Sequence, residues 1–171
     1  MVHKVKEPSF STVGGEWLMY GLAEAGYDLP QAYVKTYQKA VEDAVESSKG
    51  VLHSRKYTEY SRVVIAYSAL GLDPTDIKGY NMLEKLADFN SVIWQGINGP
   101  IYALRALDAG GYEIPKVSDI ENVTTRQKLI DYILSCQLAD GGWTLAYTPK
   151  EDEQENQKNK KTLKADADVT A

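Results

Sequence analysis

Three joints of the same kind recur along the chain, at residues 25–30, 70–74 and 109–115. In each joint an apolar segment is followed by glycine and, a few residues later, by proline. Glycine accommodates the left-handed conformation that ends many helices, and proline beyond it prevents the helix from continuing. Successive prolines lie 44 and 41 residues apart. A period of this length predicts a stacked array of helical hairpins.

The segments between the joints are of two kinds, and the two kinds alternate. Segments of the first kind are apolar on almost every side, which is typical of a helix buried among other helices. Segments of the second kind have apolar positions at the spacing of one helical face, which predicts outer helices. The apolar segments are residues 17–25, 63–70 and 101–109, and the amphipathic ones are residues 31–48, 82–89 and 129–134. The sequence therefore predicts an all-α fold of alternating inner and outer helices.

Two segments near the end of the sequence depart from this alternation. Residues 149–164 are almost wholly polar and carry both charge signs, which predicts a mobile surface loop, with a frayed helical turn as the alternative. Residues 165–171 then resemble the first turn of a fourth apolar helix. We therefore expect one helical-repeat domain over residues 1–171, forming part of a longer array.

The composition of the chain argues against several classes of binding partner. The 171 residues have a net charge of −5, and no predicted helix carries a basic cluster, so nucleic acid is not an expected partner. No apolar run approaches a membrane span, and the N-terminus lacks the apolar stretch of a signal peptide. Cys136 is the only cysteine, and neither His3 nor His53 has a neighbouring ligand at a metal-binding spacing. We therefore expect no membrane insertion, no metal site and no cofactor.

Two short motifs carry a resemblance to a known family. Residues 137–143 read Gln-Leu-Ala-Asp-Gly-Gly-Trp, which resembles the Gln-x3-Gly-x-Trp signature of the squalene–hopene cyclase and prenyltransferase repeat. Residues 166–171 read Asp-Ala-Asp-Val-Thr-Ala, which resembles the Asp-x-Asp-Asp-Thr-Ala acid motif of class II terpene cyclases. The segments 14–17, 56–62 and 95–100 are similar to a branch of this family found in surface or secreted proteins of Gram-positive bacteria.

The resemblance implies an α/α toroid, in which inner and outer helices alternate around a ring. This chain would supply about half of such a ring. An open edge leaves apolar surface exposed, so we expect the remaining half of the toroid, or a second copy, to cover that edge. The resemblance also implies an extracellular or cell-surface location.

Parallel inner helices of a toroid place their N-termini on one rim. On that rim the sequence places carboxylates, amides and aromatic rings, which predict either helix capping or a polar mouth above an aromatic ligand pocket. The predicted pocket walls are Tyr20, Tyr67 and Tyr102, and the rim residues are Glu16, Trp17, Glu59, Tyr60, Asn98 with Pro100, Asp166 and Asp168.

Family likeness also assigns roles to the two motifs. Asp168 aligns with the general acid of class II cyclases and Asp166 with its companion, although Val169 replaces the third aspartate of that motif. Capping is the alternative role for both aspartates. The resemblance gives structural roles to Gln137, Gly141 and Trp143, with the glutamine amide bonding a helix end and the Trp ring packing over the next repeat.

Three functions remain open at the level of sequence. The first is a noncatalytic binding or scaffold domain of a bacterial surface or secreted protein, with an apolar small molecule as ligand. The alternative is a fragment of a class II terpene-cyclase-like or isoprenoid-binding enzyme. A lesser alternative is a domain that binds a bulky ligand as cobalamin carriers do. The broken acid motif favours the noncatalytic function.

Overall fold

The structure, a computed structural model, describes residues 5–150 and 152–170. Within these residues the chain forms α-helices, one 3₁₀ turn and two isolated β-bridges, with no strand. The all-α prediction is therefore confirmed. The helices are α1 (Glu16–Glu24), α2 (Gln31–Ser47), α3 (Thr58–Ala69), α4 (Phe89–Ile93), α5 (Asn98–Ala109), α6 (Arg126–Ser135), α7 (Glu153–Thr162) and α8 (Ala167–Thr170).

The three apolar segments form α1, α3 and α5, and α3 packs between the other two. Hydrogen bonds join these helices near their N-terminal ends. The Ser11 hydroxyl, just before α1, donates to Glu59 in the first turn of α3 at 2.9 Å. The Thr58 N–H at the start of α3 donates to Gln95, just before α5, at 3.2 Å. Because all three begin on the same side of the molecule, they run in the same direction.

Each of these three helices ends at a glycine in the left-handed region, as the sequence predicts. The φ values are +66° at Gly26, +68° at Gly71 and +64° at Gly111. The residue after each glycine donates its N–H to the carbonyl five residues earlier, which is the bond that closes a Schellman motif. The chain is thereby turned away from the helix axis at the same point of each repeat.

The first amphipathic segment forms α2, which returns along the outside from the end of α1 to the start of α3. Its buried side chains are those at the predicted apolar positions, Tyr33, Tyr37, Val41 and Val45. The ring of Tyr37 meets the ring of Tyr67 on α3 edge to face, with their centroids 6.2 Å apart.

The second amphipathic segment does not form the single outer helix that was predicted. It forms a 3₁₀ turn (Glu84–Ala87) and the short helix α4, which are separated at Asp88. Asp88 has extended backbone angles, and its carboxylate accepts the N–H of Asn90 at 3.1 Å and the hydroxyl of Ser91 at 2.6 Å. An aspartate in this conformation begins a new helix, so the apolar spacing across it does not belong to one continuous helix.

The third amphipathic segment forms α6, which packs against α5. Its N-cap is Thr125, whose hydroxyl accepts the N–H of Lys128 at 3.1 Å. Leu129 on this helix is fully buried, whereas Leu134 is 56% exposed. The predicted helix is confirmed, with a narrower buried face than the spacing indicated.

The polar segment 149–164 contains a helix of ten residues, α7, where a loop was predicted. Asp152 caps this helix by accepting the N–H groups of Gln154 and Glu155, at 2.8 and 3.1 Å. Asn156 is buried and exchanges two hydrogen bonds with the backbone of Lys150. The loop prediction is wrong because capping and one buried amide order a segment that lacks an apolar face.

Two clusters of buried side chains form the core. The larger lies among α1, α2, α3 and α5, and a smaller one surrounds Ile97, Cys136, Leu138 and Tyr147. Cys136 is fully buried in the smaller cluster, and burial raises the pKa of its thiol to about 11, which favours the protonated thiol. Among the described residues, no helix is both long enough and apolar enough to cross a membrane.

Candidate functional site

Equivalent positions of the three parallel helices line one cavity of about 520 Å³. Tyr20, Ile65 and Arg105 each stand six residues before the glycine that ends their helix, and all three border this cavity. The residues two before each glycine, Glu24, Ala69 and Ala109, border it as well. Helices α1, α3 and α5 therefore present equivalent positions to a common surface, which we call the shared groove.

Arg105 and Tyr20 border the shared groove together, and the rings of Trp17 and Tyr102 pack next to them. The guanidinium of Arg105 donates a hydrogen bond to the Tyr20 hydroxyl at 2.8 Å and lies 5.4 Å from the centroid of that ring. The Trp17 ring packs against Tyr102 at 5.4 Å and against Tyr20 at 6.2 Å between centroids. Aromatic faces with a guanidinium beside them offer a ligand both apolar contact and a charged hydrogen-bond donor.

A second cavity of about 420 Å³ extends the shared groove past α5. Arg105 borders both cavities, so the two are adjacent along α5. Four of the predicted functional residues meet in this extension, namely Asn98, Tyr102, Trp143 and Asp168. The structure therefore brings together part of the predicted rim and part of the predicted pocket.

Tyr60 and Tyr67 lie in the core and do not line the shared groove. The Tyr60 hydroxyl donates to the carbonyl of His53 at 3.2 Å, and the Tyr67 hydroxyl points to the carbonyl of Gln38 at 3.4 Å. Both side chains are at most 2% exposed, and burial raises the pKa of each phenol. Tyr67 stands four residues before its glycine rather than six, which turns it toward α2 instead of toward the groove.

Buried Glu16 and half-buried Glu59 take part in one polar cluster at the start of α1 and α3 and do not border the shared groove. Glu16 is 1% exposed and accepts the N–H of Ser11 at 2.9 Å. Glu59 accepts the Ser11 hydroxyl and forms an ion pair with Arg62. Loss of hydration on burial raises the pKa of Glu16, while the Ser11 N–H and the charge of Arg62 act in the opposite direction. These carboxylates therefore tie elements together and contribute neither a helix cap nor a groove wall.

The two aspartates of the C-terminal motif have different surroundings. Asp166 accepts the N–H of Asp168 at 2.9 Å at the start of α8, which is a capping contact. Asp168 borders the second cavity but is exposed. An exposed carboxyl lacks the desolvation that a strong general acid requires. In this geometry Asp168 is a polar wall residue.

The turn that follows α6 uses its motif residues in another way than the resemblance implied. The amide of Gln137 donates to the carbonyl of Gly141 within the same turn, at 2.7 Å, and not to a helix end. It is the indole N–H of Trp143 that bonds the end of α6, at the carbonyl of Ile133, at 2.8 Å. The Trp143 backbone N–H is held by the Thr170 hydroxyl at 3.0 Å, so this turn connects α6 with α8. Gly141 has a φ of +90°, which explains the glycine at this position.

Sequence reasoning missed Arg105 as a groove residue. It is one of two charged residues in the apolar segment 101–109, and a charge within such a segment was the available signal. Ser11 and Gln95 were missed too, because their hydrogen bonds reach residues 48 and 37 positions away in the chain. Contacts of that range cannot be read from local spacing.

The described residues hold no cluster of three or more His, Cys, Asp or Glu side chains that could bind a metal ion. His53 accepts the N–H groups of Arg55 and Lys56 in a loop, and His3 lies outside the described residues. Comparison of the chain with known protein families, curated proteins and solved structures finds no match.

Proposed function

We propose that this chain is a noncatalytic binding domain, whose shared groove holds a small and partly apolar ligand. The observation that carries the proposal is the convergence of equivalent positions from α1, α3 and α5 on one cavity, with its extension along α5. Ligand pockets characteristically combine apolar and aromatic walls with a few polar groups that fix orientation. Here Tyr20 and Tyr102 supply rings, while Arg105, Asn98 and Asp168 supply the polar groups.

We further propose that the helices belong to a toroid of the prenyltransferase-like kind, in a bacterial surface or secreted protein. The alternation of inner and outer helices and the parallel direction of α1, α3 and α5 support the ring. The location rests on the sequence resemblance alone.

The proposed ring also indicates what would cover the exposed side of α1. One side of α1 borders an apolar cavity of about 610 Å³. We call it the α1 face, and it is lined by Val5, Val13, Gly14, Trp17, Leu18, Gly21 and Leu22. The positions of α3 equivalent to Leu18, Gly21 and Leu22 are Val63, Ala66 and Tyr67, which are all buried. Further hairpins of the ring, or a second copy, would bury the α1 face in the same way.

Tryptophan fluorescence provides a test of ligand binding in the shared groove. Trp94 lies elsewhere, 55% exposed beside Arg55, so a Trp94→Phe background leaves two reporters, Trp143 on the wall of the second cavity and Trp17 packed against Tyr102. We expect farnesol, as an apolar probe, to change this fluorescence in a saturable way. Arg105→Met and Tyr102→Ala should weaken the response, whereas Tyr27→Ala, at an exposed position away from the groove, should not.

A visible-spectrum titration with cobalamin examines a bulkier ligand in the same groove. Saturable binding of either probe that depends on Tyr102 supports the proposal. If neither probe binds up to its solubility limit, the groove is not a site for partly apolar ligands.

The enzyme alternative is favoured by one observation, the position of Asp168 on the same cavity wall as Tyr102 and Trp143. If the chain contributes to an isoprenoid cyclase, incubation of the protein with geranylgeranyl diphosphate or squalene yields cyclic products, detected by gas chromatography and mass spectrometry. Asp168→Asn abolishes those products in that case, since an amide cannot donate the acid proton. The noncatalytic proposal predicts unchanged substrate with both proteins.

A further inference from the structure

The walls of the second cavity carry two opposite charges. Arg105 borders it from α5, and Asp168 borders it from the first turn of α8. Among the described residues, these are the two charged ones on its walls. No ion pair joins either of them to the other, or to any other residue that the structure describes. A cation and a carboxylate that border one space without pairing are both available to a molecule that enters it.

Arg105 is suited to a carboxylate. Its Nη2 donates to the Tyr20 hydroxyl at 2.8 Å, which holds the guanidinium at the junction of the two cavities. A guanidinium has five N–H donors in a planar fork, so further donors remain, and the fork matches the two oxygens of a carboxylate. Of the two carboxylates that border the first cavity, Asp108 pairs with Arg126, and Glu24 forms no ion pair with Arg105.

Asp168 is suited to an ammonium group, and its neighbours in α8 fix its position. The carboxylate of Asp166 accepts the backbone N–H of Asp168 at 2.9 Å. The Thr170 hydroxyl accepts the backbone N–H of Trp143 at 3.0 Å. These contacts hold α8 against the turn after α6 and do not use the carboxylate of Asp168. That carboxylate therefore presents a negative charge to the cavity, which attracts a cationic group.

The uncharged walls of the second cavity favour an apolar or aromatic side chain. Ile101, Tyr102, Ile133 and Trp143 all border it. The indole N–H of Trp143 donates to the carbonyl of Ile133 at 2.8 Å, so this ring has a fixed orientation. Aromatic rings contribute large apolar contact areas and stack with other rings. The volume of about 420 Å³ lies within the usual range of small-molecule pockets, about 300 to 1,000 Å³.

We propose that the second cavity binds a small zwitterion with an apolar side chain, which is the chemistry of a free α-amino acid or of a short peptide. The carboxylate of the ligand binds Arg105, its ammonium group binds Asp168, and its side chain packs against Tyr102 and Trp143. This inference rests on the proposed function, because it names the class of ligand for the same groove. It gives Asp168 a role in recognising charge.

Calorimetric titration with three related ligands tests the need for both charges. L-phenylalanine carries both, 2-phenylethylamine lacks the carboxylate, and 3-phenylpropanoate lacks the ammonium group. We expect the wild-type chain to bind phenylalanine about fivefold more tightly than either analogue, the factor typical of one exposed ion pair. The dipeptide Phe-Phe, whose charges lie farther apart, distinguishes a short peptide from a free amino acid as the preferred zwitterion.

Variants assign each charge to its partner. In Arg105→Met, phenylalanine should lose its advantage over 2-phenylethylamine and keep its advantage over 3-phenylpropanoate. In Asp168→Asn we expect the converse. Glu46→Gln is the matched control for Asp168→Asn, since it removes one carboxylate at an exposed position of α2 and should preserve both advantages. A residue that only supported the fold would change the binding of all three ligands alike.

The possible outcomes separate this inference from the proposed function. If both zwitterions bind no more tightly than the singly charged analogues, the zwitterion site is overturned, whereas saturable binding of farnesol would still support a site for partly apolar ligands. If Arg105→Met and Asp168→Asn weaken all three phenyl ligands equally, the zwitterion site is overturned as well. If neither farnesol nor any of these ligands binds, both proposals fail.

Discussion

Glu16 occupies a position at which burial and charge act against each other. Its carboxyl is almost fully removed from solvent, which favours the protonated form. The Ser11 N–H and the guanidinium of Arg62 stabilise the charged form, but burial has the larger effect and the pKa of Glu16 is raised. Such a residue does not contribute equally to stability at every pH, because the folded chain binds its proton more tightly than the unfolded chain does.

The raised pKa of Glu16 determines how the stability of the chain depends on pH. The contribution of protonated Glu16 is fully present below the ordinary pKa of a glutamate, and it is lost as the pH rises through the raised pKa of the folded state. Urea unfolding of the wild-type chain and of Glu16→Gln over this range checks it. We expect the wild-type chain to lose stability relative to the variant as the pH rises, and Glu24→Gln, at an exposed site, to follow the wild-type profile. The prediction is contradicted if the free energy of unfolding of the wild-type chain, minus that of Glu16→Gln, stays constant or increases as the pH rises.

Which tyrosines line the groove could not be derived from the sequence. Of the four tyrosines predicted to face a ligand, Tyr20 and Tyr102 border the cavities, whereas Tyr60 and Tyr67 are core residues. The reason is physical: α3 is apolar on nearly all sides, so hydrophobic spacing does not reveal which side faces the cavity. Counting from the glycine that ends each helix supplies the missing register, since Tyr20 and Arg105 share a position that Tyr67 does not.

Glycine serves opposite purposes at two kinds of position within the helical elements. Gly71 ends α3 at a φ of +68°, whereas Gly21 lies inside α1 and has open space where a Cβ would stand. We expect Gly71→Ala to destabilise the chain by about 1–2 kcal/mol through left-handed strain. Gly21→Ala should instead stabilise it by about 0.5–1 kcal/mol, because alanine loses less backbone entropy in a helix. Thermal and urea unfolding measure the change in stability of each variant. If both variants are destabilised, or both stabilised, the different roles given to Gly71 and Gly21 are contradicted.

Helix α7 depends on its ends, because its composition is almost wholly polar. Asp152 caps two N–H groups, so Asp152→Ala should lower the local opening free energy of residues 154–160 by about 1 kcal/mol. Asp152→Asn keeps an oxygen acceptor and should retain most of the protection. Amide hydrogen exchange of the two variants compares them, and identical exchange rates would show that the cap does not hold this helix.

The elements differ in how far the sequence determines them. Helices α1, α3 and α5 were predictable because an apolar segment, the glycine at its end and the proline beyond it agree, and α2 was predictable because its apolar spacing begins directly after Pro30. The single helix predicted for residues 82–89 is not formed, because Asp88 caps the start of a new helix inside that segment. The helix within residues 149–164 was not predicted, because it is held by the hydrogen bonds of two single residues, Asp152 and Asn156, and the polar composition of the segment does not reveal them.

At the scale of the whole molecule, repetition produces both the shared groove and the α1 face. Each inner helix turns one side to the groove and a different side to the inner helix before it. On α3 the latter side is buried, with Ala66 at its centre. On α1 the equivalent residue is Gly21, which is exposed. The repetition that aligns α1, α3 and α5 along the shared groove thus leaves the α1 face uncovered in this chain, and the proposed ring would supply the neighbour that buries it.

Self-association of the chain tests whether a second copy covers the α1 face. In the chain alone, we expect the α1 face to produce concentration-dependent association, seen by sedimentation velocity over a range of loading concentrations. Gly21→Arg places a charge on this face without a clash, since no atom lies within 4 Å of its Cβ position. Burying an unpaired charge costs enough to weaken association by about tenfold or more. Ala32→Arg, at an exposed site on α2, introduces the same charge away from the face and should associate as the wild type does. A wild-type chain that stays monomeric, or two variants that behave alike, would show that copies of this chain do not cover the α1 face.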